Sequence, residues 1–362
     1  MRLKYESGDL PRLIVTFGGR EKMKISKKIK LSLLSLVIGL SIVGCSKTET
    51  KKEESKNTKL ESVTEKKDNY YPVTISTHNS KKEEIQVTIK EKPKKVLAVY
   101  QDSIETMLAL GLEDNIVAAA GLDHKVKDEY KEAFSKVKYL DEFTPSKETV
   151  TMLQPDLILG WYSLFSDKNI GDVNYWQDKD VNTYMALNSG AVEPKTIKNE
   201  CDDILNIGKI FNVEDKAKKI VDNINNRVDE VVKSEKDKKQ QTTLIIEFYD
   251  DKISGYGKTT LGGYMVTKLG AKLLNEDGNA LSKEDLISLN PDSIFVVYMN
   301  REDDNKASET KDLVMKDKAL QSLSAIKNDR VYPIELGQMY CSGVRTIDGI
   351  KTFANGLYPS KQ

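Results

Sequence analysis

Residues 146–158 read SKETVTMLQPDLI and residues 282–294 read SKEDLISLNPDSI, and this pair of segments decides the fold. Seven of the thirteen positions are identical, at an offset of 136 residues. Serine is a preferred N-cap and proline disfavours a helical residue before it, so each copy predicts a two-turn helix followed by a buried strand. The repeat indicates two α/β lobes of similar plan, and chance similarity of a short helix–strand unit is the alternative.

Strand and helix signals alternate around the first copy of the repeat. Residues 70–93 alternate apolar and polar side chains and predict a β-hairpin, and KKVLAVY (94–100) is a continuous apolar run typical of a buried parallel strand. The next segment, DSIETMLALGL, predicts a helix that Asp102 caps and Gly111 ends. NIVAAAG (115–121) predicts another strand, and a helical stretch around Lys125 to Phe134 follows. This alternation indicates the α/β class.

A long helix is predicted between the two copies, from Asp215 to about Lys236. At ~1.5 Å per residue such a helix spans about 30 Å, enough to join two lobes. A coiled-coil dimer arm is the alternative, for which the periodic stretch is short. The predicted division is an N-terminal lobe (70–190), linking helices (191–239) and a C-terminal lobe (240–362). The apolar positions of the long helix recur at spacings of three and four: Ala217, Ile220, Val221, Ile224, Val228 and Val231.

The first 69 residues carry signals for export rather than for folding. From Met23 a basic start leads into LSLLSLVIGLSIV and then Gly44-Cys45, a pattern typical of a secretion signal over residues 1–45. The apolar run falls short of the about 20 residues of a membrane span, and an uncleaved membrane helix is the alternative. Residues 1–22 do not fit the pattern, which indicates Met23 as the true start. Residues 46–69 hold almost nothing to bury and predict a disordered tether.

Composition excludes several classes of protein. The 362 residues carry no net charge, with 39% hydrophobic and 31% charged side chains, as expected of a soluble globular protein without a nucleic-acid partner. Two histidines argue against a zinc, manganese or iron site built on a histidine cluster, and three cysteines argue against a disulfide scaffold. Arginine is scarce beyond residue 50, and its planar fork suits anions. These arginines are Arg227, Arg301, Arg330 and Arg345.

Together the hairpin, the twin units, the linking helix and the closing segment NDRVYPIELGQMYCSGVRTIDGI (328–350) resemble a family. They resemble the substrate-binding lipoproteins of bacterial ABC importers for ferric siderophores, haem and cobalamin, from about Tyr70 to Tyr358. The resemblance implies two Rossmann-like lobes joined by a single long helix, with a ligand cleft between the lobes. It also implies a monomer that works with permease and ATPase subunits.

Three positions acquire expected roles from this resemblance. Ile42-Val43-Gly44-Cys45 resembles a lipobox, which implies a lipidated Cys45 and an anchor on the extracytoplasmic face of the cell membrane. Glu148 and Glu284 match the family's permease-docking glutamates, one on each lobe. Glutamates at helix starts are common, however, because they are favourable with the helix dipole.

Ligand contacts are expected beyond the carboxyl ends of the strands, where ligands of α/β sheets gather. Aromatic groups at many strand ends suit a bulky amphipathic ligand, although each is also consistent with the rim of a core. Arg345 matches an arginine of the family's closing motif, and Tyr340 stands where many members have tryptophan. His124 is expected at the surface and Cys341 as a buried thiol. The predicted ligand residues are Tyr100, Gln101, Trp161, Tyr162, Tyr249, Tyr256, Tyr298, Arg301, Met339, Tyr340 and Arg345.

The sequence thus predicts a binding protein that captures a ferric siderophore and delivers it to an importer. Cobalamin or haem in the same cleft is the first alternative, and a metal chelatase of the same plan is a more distant one. The iron is expected to stay in its chelate, so we predict no cofactor and no metal ligands. Nucleotide hydrolysis is disfavoured, because KISGYGKTTLGG (252–263) has Lys252 in place of the first glycine of a phosphate loop.

Overall fold

The computed structural model describes residues 70–235, 239–249, 252–300 and 305–359. Cys45, Arg301 and the predicted signal and tether segments lie outside this part of the chain. Within these ranges, no helix combines the length and the apolar character that a membrane crossing demands.

The N-terminal lobe opens with the predicted hairpin and continues as a parallel sheet. Strands β1 (Val73–His78) and β2 (Glu84–Ile89) pair antiparallel, with Val73 opposite Ile89. In the sheet that follows, β3 lies between β4 and β5, and β6 lies beyond β5. Every pair is parallel, and the strands read as the continuous apolar runs expected of a sheet covered on both faces. Its strands are β3 (Val96–Val99), β4 (Ile116–Ala120), β5 (Leu157–Gly160) and β6 (Asn182–Met185).

Short helices connect these strands. Helix α1 (Gln101–Ala109) begins directly after β3, with Tyr100 at its N-cap position and no side-chain cap. The prediction of Asp102 as the cap is therefore wrong, because Asp102 lies inside the first turn. Residues 125–134 contain only a 3-10 turn and one helical turn, so the helix predicted there is wrong in length. The other helices of this lobe are α2 (Lys131–Phe134), α3 (Lys147–Leu153) and α4 (Val173–Gln177).

Two consecutive helices leave the N-terminal lobe. Helix α5 (Ile197–Ile210) is capped by the Thr196 hydroxyl, and α6 (Glu214–Glu235) has 22 residues. The predicted linking helix is confirmed: Ala217, Val221, Ile224, Val228 and Val231 form its buried face. Where α5 passes α6, a Cβ added to Gly208 would lie 2.5 Å from the Cβ of Ala217, so the backbones approach closely there.

The C-terminal lobe has a mixed sheet in which β10 lies between β11 and β7. The three are parallel, whereas β8 pairs antiparallel with the end of β7 and β9 pairs parallel with its start. The strands are β7 (Thr242–Tyr249), β8 (Lys252–Gly255), β9 (Lys272–Leu273), β10 (Ser293–Tyr298) and β11 (Val331–Glu335). The helices are α7 (Leu261–Lys268), α8 (Lys283–Leu289), α9 (Lys306–Met315), α10 (Ser324–Lys327) and α11 (Thr346–Leu357).

The twin segments fold alike. Helices α3 and α8 each have seven residues, and the hydroxyls of Ser146 and Ser282 accept from the backbone N–H groups three residues on. Each helix ends in a left-handed residue, Gln154 or Asn290, before the proline. The strands that follow, β5 and β10, each lie beside the first parallel strand of their lobe. The two-lobe α/β prediction is thereby confirmed.

One cluster of buried apolar side chains runs through the whole described chain. It begins in the hairpin with Val73, passes through Ile204 in α5 and Ile224 in α6, and ends in the C-terminal lobe with Phe295 and Phe353. Smaller clusters cover the other face of each sheet. The long helix is therefore part of the core and not an exposed connector.

Candidate functional site

Aromatic side chains from both lobes meet beyond the carboxyl ends of β3 and β5. Tyr100 follows β3 and Trp161 follows β5, and their rings stack with centroids 4.3 Å apart. From the C-terminal lobe, Tyr340 brings its ring to 5.4 Å from that of Trp161. We call Tyr100, Trp161 and Tyr340 the aromatic cluster. The aromatic cluster brings three of the predicted ligand residues together, and their contact with a ligand stays a prediction.

A buried carboxylate lies next to the aromatic cluster. The indole Nε1 of Trp161 donates to Oδ1 of Asp102 over 2.5 Å. Burial raises the pKa of the Asp102 carboxyl to about 7, and the hydrogen bond from Trp161 opposes this only in part. The Asp102 carboxyl therefore orients the Trp161 ring, and its pKa of about 7 lies close to neutral pH.

Two more buried acids lie on α5. The Glu200 carboxylate accepts from Gly343 N over 2.6 Å, which links α5 to the closing segment, and from Asn188 Nδ2. Burial raises the pKa of Glu200 to about 7 and holds the pKa of Asp203 well above its ordinary value. The Cys341 thiol is buried as predicted, and its burial raises its pKa well above the usual range. These groups favour their neutral forms.

Arg345 is buried, and carboxylates of both lobes occupy its guanidinium. Its Nε and one terminal nitrogen donate to the two oxygens of Glu105 at 2.6 and 2.8 Å. The other terminal nitrogen lies 2.6 Å from Oε2 of Glu335, and a further bond goes to the Lys125 carbonyl. Burial alone would lower the pKa of Arg345, but Glu105 raises it. A ligand contact at Arg345 stays a prediction, and protein oxygens already engage its donors.

His124 is buried between the lobes, so the prediction of a surface histidine is wrong. Its Nδ1 lies 3.1 Å from the backbone nitrogen of Asn300, and its Nε2 lies 3.0 Å from that of Gly337. A neutral imidazole has one acceptor nitrogen, so only one of the two amides donates at a time. The sequence around AAAGLD gave no sign that His124 is buried, because its hydrogen-bond partners lie more than 170 residues away.

The remaining predicted ligand residues are spread around this region. Gln101 is buried, where its amide donates to Glu105 and its oxygen accepts from His124 N. Tyr162 is half-buried under the Lys82 ammonium, 4.9 Å from its ring centroid. Met339 is fully buried, and a Cβ on Gly262 would lie within about 3 Å of its thioether.

Three tyrosines of the C-terminal lobe complete the set. Tyr256 is buried and donates to Glu247, whereas Tyr249 is half-buried at the end of β7. Tyr298 is half-buried with its ring 6.5 Å from that of His124. The roles of all these residues in ligand binding stay predictions.

The predicted docking glutamates occupy equivalent places on the two lobes. Glu148 lies in the first turn of α3 and Glu284 in the first turn of α8, and both side chains are exposed. Neither contacts the aromatic cluster. Their part in docking stays a prediction.

Two surface pockets lie apart from the aromatic cluster. One of about 480 Å³ is lined by Gln86, Lys90 and Asp156 among others, and one of about 460 Å³ by His78, Glu84 and Asp202 among others. Neither is lined by a predicted ligand residue. Within the described ranges, no three His, Cys, Asp or Glu side chains converge to hold a metal ion.

Three polar residues of the site escaped sequence reasoning. Glu105 accepts from Arg345, Gln101 and Lys127 N, so it is the centre of the contacts between α1 and the closing segment. Glu200 lies on α5 and Lys195 lies just before that helix, and both are buried. The available signal was the helical spacing of Asp102 and Glu105, which places two acids on a helix between apolar strands.

Comparison with known proteins identifies the fold's family. Residues 96–335 match the family described as periplasmic binding protein. The chain belongs to that family. A periplasmic binding protein from Veillonella parvula is 33% identical, with a TM-score of 0.74 over 80% of this chain and 92% of that one.

Curated relatives give the same assignment. The petrobactin-binding protein YclQ of Bacillus subtilis is 28% identical over 88% of this chain and 94% of its own. The ABC transporter substrate-binding lipoprotein YvrC of the same organism is 26% identical over 90% of this chain and 95% of its own. This periplasmic binding protein is therefore the substrate-binding component of an ABC importer and not an enzyme, as predicted.

Proposed function

We propose that this periplasmic binding protein captures a ferric siderophore outside the membrane and delivers it to the permease of its importer. The observation that carries the proposal is the aromatic cluster, which both lobes build at their mutual boundary. Aromatic faces suit the organic part of a metal chelate, and the name of the petrobactin-binding relative supports a siderophore. The iron enters as cargo inside its chelate.

The proposal includes a lipid anchor at Cys45. The sequence around Cys45 supports it, as does the name of the lipoprotein relative. Several acyl chains at roughly 0.8 kcal/mol per buried CH₂ would hold the protein on the membrane durably. Metabolic labelling with a palmitate analogue tests this: the wild-type protein should be labelled and Cys45→Ala should not.

Tryptophan fluorescence tests the ligand. Trp161 is half-buried in the aromatic cluster. Trp176 is buried, and its indole N–H donates a hydrogen bond to the Ile170 carbonyl. The purified protein is titrated with a ferric trihydroxamate, a ferric tricatecholate, haemin and cyanocobalamin, with N-acetyltryptophanamide as the control for light absorbed by the ligand. One ferric chelate should quench with a dissociation constant below ~100 μM. Trp161→Phe should remove most of the quenching.

Two outcomes contradict the proposal. If no ferric chelate binds below that limit, the protein is not a siderophore receptor. If haemin or cyanocobalamin binds at least tenfold tighter than every ferric chelate, the ligand is one of the tetrapyrroles.

A further inference from the structure

Lys195 is a buried cation at the boundary between the lobes. It directly precedes Thr196, the N-cap of α5, and its side chain is only 2% exposed. Its backbone N–H donates to the Thr259 carbonyl of the C-terminal lobe over 3.3 Å. Its ammonium lies 4.8 Å from the centroid of the Tyr340 ring. Lys195 therefore borders the aromatic cluster from a fixed backbone position.

The ammonium of Lys195 lacks the partners that a buried cation normally has. An ammonium carries three donors, yet among the described residues it makes neither a hydrogen bond nor an ion pair, and its cation–π partner is the Tyr340 ring. The other buried cation of this boundary, Arg345, is fully paired with Glu105 and Glu335. Because burying a charge without hydrogen bonds is costly, the unfilled donors of Lys195 point to an acceptor that arrives from outside the chain.

Its electrostatic surroundings indicate what kind of acceptor. Burial lowers the pKa of Lys195 and Lys82 lowers it further, whereas Glu193, Cys341 and Glu200 oppose this. Lys82 lies over Tyr162, the residue next to Trp161. Two ammonium groups thus flank the aromatic cluster, and an unpaired cation in a partly desolvated place attracts anions.

We propose that Lys195 binds the ligand and that the site selects ferric chelates of net negative charge. An anionic oxygen of the chelate takes the place of the Tyr340 ring face and accepts from the ammonium. The aromatic cluster covers the organic part of the same ligand. This inference rests on the proposed function and adds the ligand's charge to it.

A matched set of ligands tests the inference. Ferrioxamine B has a terminal ammonium, its N-acetyl derivative is neutral and its N-succinyl derivative carries a carboxylate, while the ferric centre is the same in all three. Ferric enterobactin adds a complex of charge −3. The wild-type protein should bind the most negative complex it accepts at least tenfold tighter than the neutral or cationic ones.

Variants assign the preference to Lys195. Lys195→Met should weaken the anionic complexes ten- to a hundredfold and the neutral one less than twofold, as expected for a charge-assisted hydrogen bond. Lys195→Arg should restore most of the affinity. That result would show that the affinity depends on the positive charge of the side chain and not on its packing. Lys219→Met is the matched control: Lys219 is an exposed lysine on α6, and its loss should change each affinity less than threefold.

The outcomes separate this inference from the proposed function. If the wild-type protein binds none of these chelates, the siderophore proposal fails and the inference fails with it. If the wild-type protein binds a chelate but prefers neutral or cationic forms, only the inference is overturned. The same holds if Lys195→Met lowers all affinities equally or leaves them unchanged.

Discussion

Arg345 and Lys195 accommodate buried positive charge in two different ways. Arg345 sits between Glu105 of α1 and Glu335 of β11, with every short contact going to a protein oxygen. Lys195 faces an aromatic ring instead. The first arrangement binds the lobes together, and the second leaves donors for a ligand. The scarcity of arginine made Arg345 conspicuous in the sequence, whereas Lys195 was one lysine among many.

Replacing Arg345 with methionine should strongly destabilise the protein. The change leaves the buried Glu105 and the half-buried Glu335 without their cation, and breaking a buried ion pair costs roughly 3–5 kcal/mol. The free energy of unfolding in urea measures the loss. Arg345→Met combined with Glu105→Gln should recover part of it, because one uncompensated charge is removed.

Arg227→Met is the control for this variant. Arg227 lies on α6 and pairs with Glu230 at the surface, so its loss should cost less than about 1 kcal/mol. Equal effects of the two substitutions would show that Arg345 does not stabilise the boundary between the lobes.

Glu200 should make stability depend on pH. Its folded pKa is about 7, while a free glutamate titrates near 4.3, so the folded protein holds an extra proton between these values. Its contribution to stability is therefore lost as pH rises from about 4 to about 7. Glu200→Gln stays neutral, and its free energy of unfolding should improve relative to wild type by about 2–3 kcal/mol between pH 5 and pH 8.

Chemical denaturation at several pH values provides the comparison. Asp102 is coupled to Glu200, so the wild-type change spans both groups. Glu132→Gln, an exposed change on α2, should run parallel to wild type. Parallel curves for Glu200→Gln as well would rule out a neutral Glu200 in the folded protein.

The elements themselves were largely predictable, because their signals are local. The serine caps, the proline stops and the apolar runs fixed α3, β5, α8 and β10 without distant information. No role for Asp156 and Asp292 of the twin units was predicted from the sequence. Their carboxylates accept from the starts of β3 and β7, at Lys95 N and Thr242 N. Those partners are 61 and 50 residues away, beyond the reach of local patterns.

The contact of α5 with α6 depends on Gly208. Gly208→Ala would bring a methyl group against Ala217, and such overpacking typically costs 1–3 kcal/mol. Adding Ala217→Gly should recover most of the lost stability, because the space is returned from the other helix. The free energies of unfolding of both single variants and the double variant measure the coupling, expected above about 1 kcal/mol. Purely additive effects would show that the helices do not meet at this pair.

At the scale of the molecule, sequence predicted the two lobes and the long helix but not how the lobes meet. The repeat and the periodicity of α6 are intrinsic to single segments. The contacts of His124, Glu105 and Glu200 join residues that are 140 to 240 positions apart. Nothing in the local composition announces such partners. The aromatic residues at strand ends could therefore be identified from local sequence signals, whereas the buried polar residues of the same region could not.

The predicted docking to the permease belongs to the scale of the whole molecule, since it assigns one glutamate to each lobe. Glu148→Ala with Glu284→Ala should keep the dissociation constant of the ferric chelate within twofold, because both side chains are exposed and neither belongs to the aromatic cluster. Uptake of the radiolabelled chelate by cells that carry only this variant should fall at least tenfold, since charge-assisted contacts to the partner are lost.

The matched control removes two other glutamates from helix starts. Glu132 on α2 and Glu309 on α9 are exposed, one on each lobe, and lie outside the twin units. Glu132→Ala with Glu309→Ala should transport normally. Normal transport by the first pair of substitutions, or loss of chelate binding, would contradict the docking role.

The apolar cluster that passes through α6 makes the two lobes interdependent. If the chain were cut within that helix, each fragment would expose an apolar surface to water. The free-energy cost of that exposure grows with its area. Such fragments should reassociate or precipitate instead of persisting as soluble halves. After a single cut at this point, ligand binding would therefore depend on the two fragments finding each other again.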